Sequence, residues 1–418
     1  MTPTPKSGTP KRMQHLIPSH ASRPADDPIF ALNREAMQRK AKGEAIINAT
    51  VGALLDDAGK LAILPTAARV ITEVPQEEWA AYAPIAGTPD FAKAVIQDLF
   101  SKSPELAETA IAVATPGGSG ALRHAIANYL EPGQALLTTS YYWGPYQTLA
   151  DESERRIATF NTFDASGNLD LAAFDRALGD LIAKQGRALI FLNDPCHNPT
   201  GYSMRLEEWK QIAEIVRAHG KKAPVTLLVD NAYSAYGKGD RHAMLAEVGP
   251  VANDACLLFA WSASKTFTHY GLRVGALVAC IRDESERKKT HAALSYSCRG
   301  TWSNCSRGGL WAITKLLTDP KLAKACDEER AVLTHLLFRR VDAFNAHAAG
   351  KLKYPRYEGG FFVTVFTENA DAKAAKLRDK GVFVVPLSGD RESALRIGLC
   401  SVAEKDVGKL VEALISVC

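Results

Sequence analysis

Five short apolar runs alternate with helical patterns through the middle of this chain, and that alternation restricts the possible folds more than any other feature. The runs 134–138, 187–193, 225–229, 255–260 and 274–280 are almost continuously apolar. Strands buried on both faces read this way, whereas half-exposed strands alternate. Helical spacing is found at 31–42, 89–100, 119–130, 170–184 and 206–219. Strands alternating with helices imply a parallel sheet covered by helices. After about residue 282 the expected helices lengthen, to 283–295, 303–317 and 320–346. The tail reads strand, helix, strand, strand, helix, with Ser401 and Glu404 as a capping box for the last helix. A large α/β domain and a smaller α+β domain are therefore expected.

At 418 residues and 46% hydrophobic composition the chain exceeds one ordinary domain. Its net charge is +4, with acids and bases mixed along its length. There is no basic stripe with interleaved aromatics, which argues against nucleic acid as a partner. No apolar run is long enough to span a bilayer. The eight cysteines are scattered, with no C-x-x-C pair. That fits a reducing, cytoplasmic compartment better than a disulfide framework. The first 28 residues hold six prolines, four Lys/Arg and no acid before Asp26. They read as a flexible arm, with a transit peptide as the alternative.

The segment WSASKTFTHYGLRVG (Trp261 to Gly275) sets Lys265 at the end of an expected buried strand, eight positions before Arg273. Burial frees a lysine amine as a nucleophile, and an arginine can hold a phosphate in a bidentate fork. Three further segments carry chemistry. TPGGSGAL (Thr115 to Leu122) opens a helix with glycines, where backbone amides point at an anion. It is neither a Walker A loop nor a Rossmann fingerprint. FLNDPCHNPTG places Asn198 in a turn at the carboxyl end of a strand, where α/β sheets bind ligands. LLVDNAYSAYG places Asp230 just after a buried strand and Tyr233 three residues on. Near the C-terminus, Arg396 lies in a short apolar strand and needs an anionic partner. Taken singly, the glycine loop and Arg396 read equally well as a capped helix start and a structural ion pair, and Asn198 and Asp230 read better as an Asx turn and a helix cap.

Taken together, the order of glycine loop, Asn-Pro turn, Asp-x-x-Tyr, Ser-x-x-Lys, Arg and C-terminal Arg resembles the fold-type I aminotransferases of the aspartate/aromatic group, class I. The resemblance covers roughly residues 28–418. It implies an α/β fold with a mainly parallel seven-stranded sheet in a large domain, 66–319. A smaller α+β domain would form from both chain ends, 29–65 and 320–418, after an arm at 1–28. It implies pyridoxal 5'-phosphate, carried covalently by Lys265. Asp230 would pair with the ring nitrogen, and Asn198 and Tyr233 would bond the ring's phenolic oxygen. Gly118, Ser119, Ser262 and Arg273 would hold the phosphate. Arg396 and Gly52 would take the substrate α-carboxylate.

The resemblance also assigns Tyr82 to the phosphate of a neighbouring subunit, and so implies a homodimer with shared sites. Tyr142 would stack on the cofactor ring, with Trp143 one position away as the alternative. Many relatives carry tryptophan there, followed by Asn-His, whose histidine can support the aspartate at the ring nitrogen; this chain has Gly144-Pro145 instead and lacks that histidine. Arg299, five residues before Asn304, matches the arginine that crosses the dimer to a side-chain carboxylate. It favours aspartate or glutamate, although relatives acting on aromatic amino acids keep it too. Arg307 is close enough to be confused with it.

The implied reaction is transfer of an amino group from an L-amino acid to an oxo acid such as 2-oxoglutarate. A lyase on the same scaffold is the alternative. Ser262-Ala-Ser-Lys265 also satisfies the S-x-x-K of serine acyl enzymes, but S-D-N and K-T-G are missing.

Overall fold

The computed structural model describes residues 15–24, 27–388 and 392–418. The apolar runs of the sequence form the middle of a seven-stranded sheet. After a short strand β1 (Ile47–Asn48) come β2 (Ala110–Thr115), β3 (Ala135–Thr139) and β4 (Arg156–Phe160). Then follow β5 (Ala188–Asn193), β6 (Val225–Asp230), β7 (Cys256–Ser262) and β8 (Gly275–Cys280). The sheet order is β2-β8-β7-β6-β5-β3-β4. Only β8 runs against its neighbours, β2 and β7. The sheet is buried on both faces because alternate residues of one strand enter different cores. Ile190, Leu192, Leu227 and Val229 belong to one cluster, and Leu189, Phe191 and Leu228 to the other.

Two strands of this sheet were not located from the sequence. In β2 (AIAVAT) alanines alternate with Ile111, Val113 and Thr115, so no continuous run of large apolar residues marks it, and β4 (RIATF) is an edge strand with an exposed Arg156. The helix expected at 89–100 forms as Pro89–Phe100, with Thr88 as its cap. The helix expected at 303–317 starts later, at Arg307. Ser303 turns the chain with positive φ, and Ser306 Oγ accepts from Gly309 N. The preceding helix runs on to Thr301.

The tail supplies β9 (Phe362–Phe366), β10 (Val382–Phe383), β11 (Val385–Leu387) and β12 (Ala394–Gly398). Three of them make an antiparallel sheet, β11-β12-β9. The other, β10, pairs in parallel with β1, joining Ile47 to Val382. A third apolar cluster packs beneath them, with Phe344, Val363, Leu395, Ile397 and Leu410. The capping box foreseen at Ser401 does not form. Its hydroxyl donates to Asn48 O and Gly398 O, both at 2.9 Å, the Glu404 carboxylate pairs with Arg339, and the last helix begins at Val407. The arm expected at 1–28 lies largely outside the described residues; its described part contains a short helix, Pro18–Ala21.

Arg340 ties the long helix Pro320–Ala348 to this tail. The side chain is fully buried and donates to Cys400 O, Leu55 O and Asp57 Oδ1, each at 2.8 Å. Each buried carbonyl left unsatisfied costs about 1–3 kcal/mol. Arg340→Leu is therefore expected to lower stability by roughly 2–5 kcal/mol. The check is a lower urea midpoint with unchanged slope.

Candidate active site

The carboxyl ends of β5, β6 and β7 meet the glycine-rich start of helix Gly117–Tyr129 around a cavity of about 470 Å³. Gly52, Gly118, Ser119, Asn198, Asp230, Tyr233, Ser262, Lys265, Arg273 and Arg396 all line it. These residues come from both ends and the middle of the chain, and a single pocket gathers ten of the thirteen expected positions.

Lys265 sits in a one-turn helix, Ala263–Thr266, directly after β7. Ser262 caps that turn, its Oγ accepting from Ser264 N at 3.2 Å. The Lys265 Nζ donates to Gly52 O at 2.9 Å and lies 4.5 Å from the centre of the Tyr270 ring. Burial pulls its ammonium down to about 8, with Arg273 and Arg396 adding to the effect. Part of the population is then a free amine near neutral pH.

Asp230 is the last residue of β6 and is buried. Burial pushes its carboxyl up to about 6, against the hydrogen bonds it accepts. These come from Tyr146 Oη at 2.7 Å and Ala232 N at 3.3 Å. Asn193, at the end of β5, braces the neighbouring loop. It donates from Nδ2 to Asp230 O at 2.8 Å and accepts at Oδ1 from Asn198 N at 2.7 Å. The turn that carries Asn198 contains two cis peptides, Asp194-Pro195 and Asn198-Pro199. Asn198 Nδ2 donates to Tyr233 Oη at 3.4 Å.

Arg273 is held at the opposite edge. Nη1 donates to Ser264 Oγ and Tyr270 O, and Nη2 to Pro116 O at 3.1 Å. Gly117, at φ +73°, leaves the space that this guanidinium fills, and a Cβ there would collide with it. Gly117→Ala is expected to displace Arg273 and weaken retention of a phosphate-bearing ligand about 10–100-fold. Equilibrium dialysis against that ligand checks it.

Arg396, in β12, donates from Nη2 to Thr50 O at 2.5 Å and lies over the Phe362 ring at 4.6 Å. Two buried polar atoms in this cavity have no partner: Arg396 Nε and Asn198 Oδ1. Buried polar atoms are nearly always satisfied, so orphans facing a cavity mark where a ligand belongs.

Three expected positions do not line this cavity. Trp143 does, and Tyr142 does not. The Tyr142 ring lies parallel to that of Tyr146 and offset from it, with centroids 6.3 Å apart and planes 4° from parallel. Tyr82 is 86% exposed. Arg299 is on the surface and donates to Ser303 Oγ at 2.6 Å. The neighbouring Arg307 is engaged with both oxygens of Glu78, at 2.6 and 3.2 Å, which separates the two arginines confused in sequence.

Other positions at the cavity were not foreseen. Tyr270, Phe362 and the start of the helix Pro28–Ala41 (Ile29, Phe30) line the cavity, and Tyr146 braces Asp230 from behind. Tyr270 had a usable signal, since it lies inside the lysine segment. Phe30 had none, because an exposed phenylalanine at a helix start carries no local mark.

The fit to pyridoxal phosphate can be tested on these atoms. A phosphate matches the Arg273 guanidinium, Ser119 and the uncapped start of the glycine helix. A phenolic oxygen matches the Asn198–Tyr233 pair. A protonated ring nitrogen matches Asp230, whose carboxylate accepts only two hydrogen bonds among the described residues. An aldehyde matches the Lys265 amine. The residues fit the group.

The family model for aminotransferase class I and II matches residues 44–414. An aromatic-amino-acid aminotransferase of Pseudomonas aeruginosa is 27% identical over 324 residues, 75% of this chain and 76% of that protein. An aspartate aminotransferase of the same organism is 27% identical over 340 residues, covering 77% and 81%. Among solved structures, an aminotransferase from Anaerococcus prevotii superposes with a TM-score of 0.91 at 32% identity, covering 97% of this chain and 99% of the other.

Proposed function

The chain belongs to the class I and II aminotransferases, and from that premise we propose how its own residues divide the work. It is a pyridoxal-phosphate-dependent enzyme that moves an amino group between an L-amino acid and a 2-oxo acid. The observation that carries the residue assignment is the Lys265 amine, which shares one cavity with Asp230, Asn198, Arg273 and Arg396.

When bound, the cofactor's ring supplies an electron sink. Everything else falls to the chain. Arg273, Ser119, Gly118 and Ser262 hold the phosphate. Trp143 covers one face of the ring. Asp230 keeps a proton on the ring nitrogen, and the Asn198–Tyr233 pair bonds the phenolic oxygen. Arg396, with its free Nε–H, and Gly52 orient the substrate α-carboxylate. That places the α-hydrogen in reach of Lys265, whose amine takes the proton as general base and returns it as general acid. The burial that lowers the lysine's proton affinity also excludes water from the reacting carbon. The amino group passes in two halves, which gives ping-pong kinetics.

We assign the substrate to dicarboxylic or aromatic amino acids. Arg299 supports this, being displayed on the surface and not committed to a carboxylate like Arg307. In a homodimer with shared sites, it and the exposed Tyr82 would complete the neighbour's cavity. The pairing of Ile47 with Val382 supports a small domain from 29–65 and 320–418, set against a large one from 66–319. All eight cysteines are free, which supports a cytoplasmic setting. Among the described residues no helix is long and apolar enough to cross a membrane.

The test mixes cofactor-loaded protein with single amino acids and follows the visible cofactor band. Rapid discharge by aspartate, glutamate or an aromatic amino acid is expected, with release of the matching oxo acid. Discharge by aspartate but not phenylalanine removes the aromatic half of the assignment. Ammonia release without a stable amino form of the cofactor would mean a lyase.

A further inference from the structure

We propose that Tyr146 is a positioning residue for the cofactor's electronics: its hydroxyl donates to Asp230 Oδ2 and keeps that carboxylate ionised and aimed at the ring nitrogen. This rests on the reading of Asp230 as the partner of that nitrogen. The hydrogen bond is 2.7 Å long and wholly buried. Tyr146 is the second residue of the helix Pro145–Glu152, so its backbone is fixed by a helix start. Three aromatic neighbours box its ring. Phe191 meets it edge-on at 5.3 Å, Trp143 edge-on at 5.8 Å, and Tyr142 stacks at 6.3 Å. The hydroxyl therefore has one place to point.

Asp230 depends on that donor. Its other oxygen accepts only a long bond, 3.3 Å, from Ala232 N, and its surroundings are strands on both sides. Burial drives the carboxyl toward its neutral form, and the Tyr146 hydroxyl is the largest influence opposing it. A neutral carboxylic acid cannot hold a proton on a pyridine nitrogen.

The chemical type of the donor also matters. An imidazole in this role gains and loses charge near neutrality. The Tyr146 phenol is buried beside a carboxylate, and both effects push its ionisation well above the usual range. It stays a neutral donor throughout the working range, so it fixes Asp230 by hydrogen bonding alone and adds no positive charge beneath the ring. Trp143, which lines the cavity, packs against the same Tyr146 ring, so one side chain braces the aromatic cover and the acid together.

The test uses full-length holoenzyme loaded with cofactor ¹⁵N-labelled at the ring nitrogen, in wild type, Tyr146→Phe, Tyr146→His and Asp230→Asn. Tyr146→Phe keeps the boxed ring and deletes only the hydroxyl. Its ¹⁵N resonance at neutral pH is expected to move toward the unprotonated value, part of the way that Asp230→Asn moves it. The cofactor dissociation constant is expected to rise about tenfold, and Tyr146→His, which restores a donor, to bring back the wild-type resonance. A wild-type resonance in Tyr146→Phe, with Asp230→Asn shifted, would overturn the inference and leave Tyr146 a packing residue. If Asp230→Asn is also unshifted, the pairing of Asp230 with the ring nitrogen falls, and this inference falls with it.

Discussion

Lys265→Ala is expected to bind pyridoxal phosphate and to lose transamination, with kcat lower by about 10⁴-fold or more. The two halves of this result come from different atoms. On the proposed assignment, retention rests on Arg273, Ser119 and the glycine helix start, none of which hydrogen-bonds the lysine amine. Catalysis rests on a base within reach of the substrate α-carbon, and the Lys265 amine is the basic group that projects into this part of the cavity. Alanine leaves no replacement, because burial pushes the ionisation of the buried Tyr233 and the part-buried Tyr270 well above the usual phenol range. A dialysed Lys265→Ala sample should keep cofactor absorbance without the visible band that the lysine creates. In the wild-type chain, uptake of cofactor should quicken as pH rises, roughly tenfold per unit, and level off above about 8. That is the direction for an amine reacting in its neutral form. Wild-type turnover in Lys265→Ala would remove the assignment.

The second large effect is expected at Arg396. Arg396→Leu should raise KM for every amino acid by about 10²–10⁴-fold, since up to two charge-assisted hydrogen bonds to the α-carboxylate are lost. The effect should be alike for aspartate and phenylalanine, because the α-carboxylate is common to both. An Arg299 substitution should instead fall mainly on the dicarboxylic substrate. Steady-state kinetics with both substrates separate the two arginines. Arg396→Lys should recover only part of the loss, because an ammonium cannot reproduce the planar fork. A KM that stays near wild type in Arg396→Leu would place the α-carboxylate elsewhere.

What the sequence made legible follows from where the physical signal is local. Lys265, Asp230 and Asn198 each follow an apolar run, so a strand end and a reactive group could be read together. Arg396 was legible for the opposite reason, as a charge in a run that should have none. The strands that escaped, Ala110–Thr115 and Arg156–Phe160, lack continuous large apolar residues. Ser262 looked like a ligand, and its hydroxyl also spends a lone pair capping the lysine's own turn. Tyr142 and Trp143 could not be separated, because one residue of register decides which faces the cavity, and the stack on Tyr146 sets that register. Tyr146 could have been found. A buried carboxylate requires donors, and with no histidine after the aromatic, the nearest hydroxyl in that segment was the place to look.

The hydrogen bond from Arg396 to Thr50 O joins residues 346 positions apart in the chain, and β1 and β10 pair across a similar separation. Contacts of such long range close late, after local helices and neighbouring strands have formed. During synthesis all seven strands of the large sheet, ending at Cys280, can leave the ribosome before Arg396 does. On the proposed assignments, this chain's cofactor-holding residues from Gly118 to Arg273 are all synthesised before Arg396, so the substrate clamp is the later of the two to form.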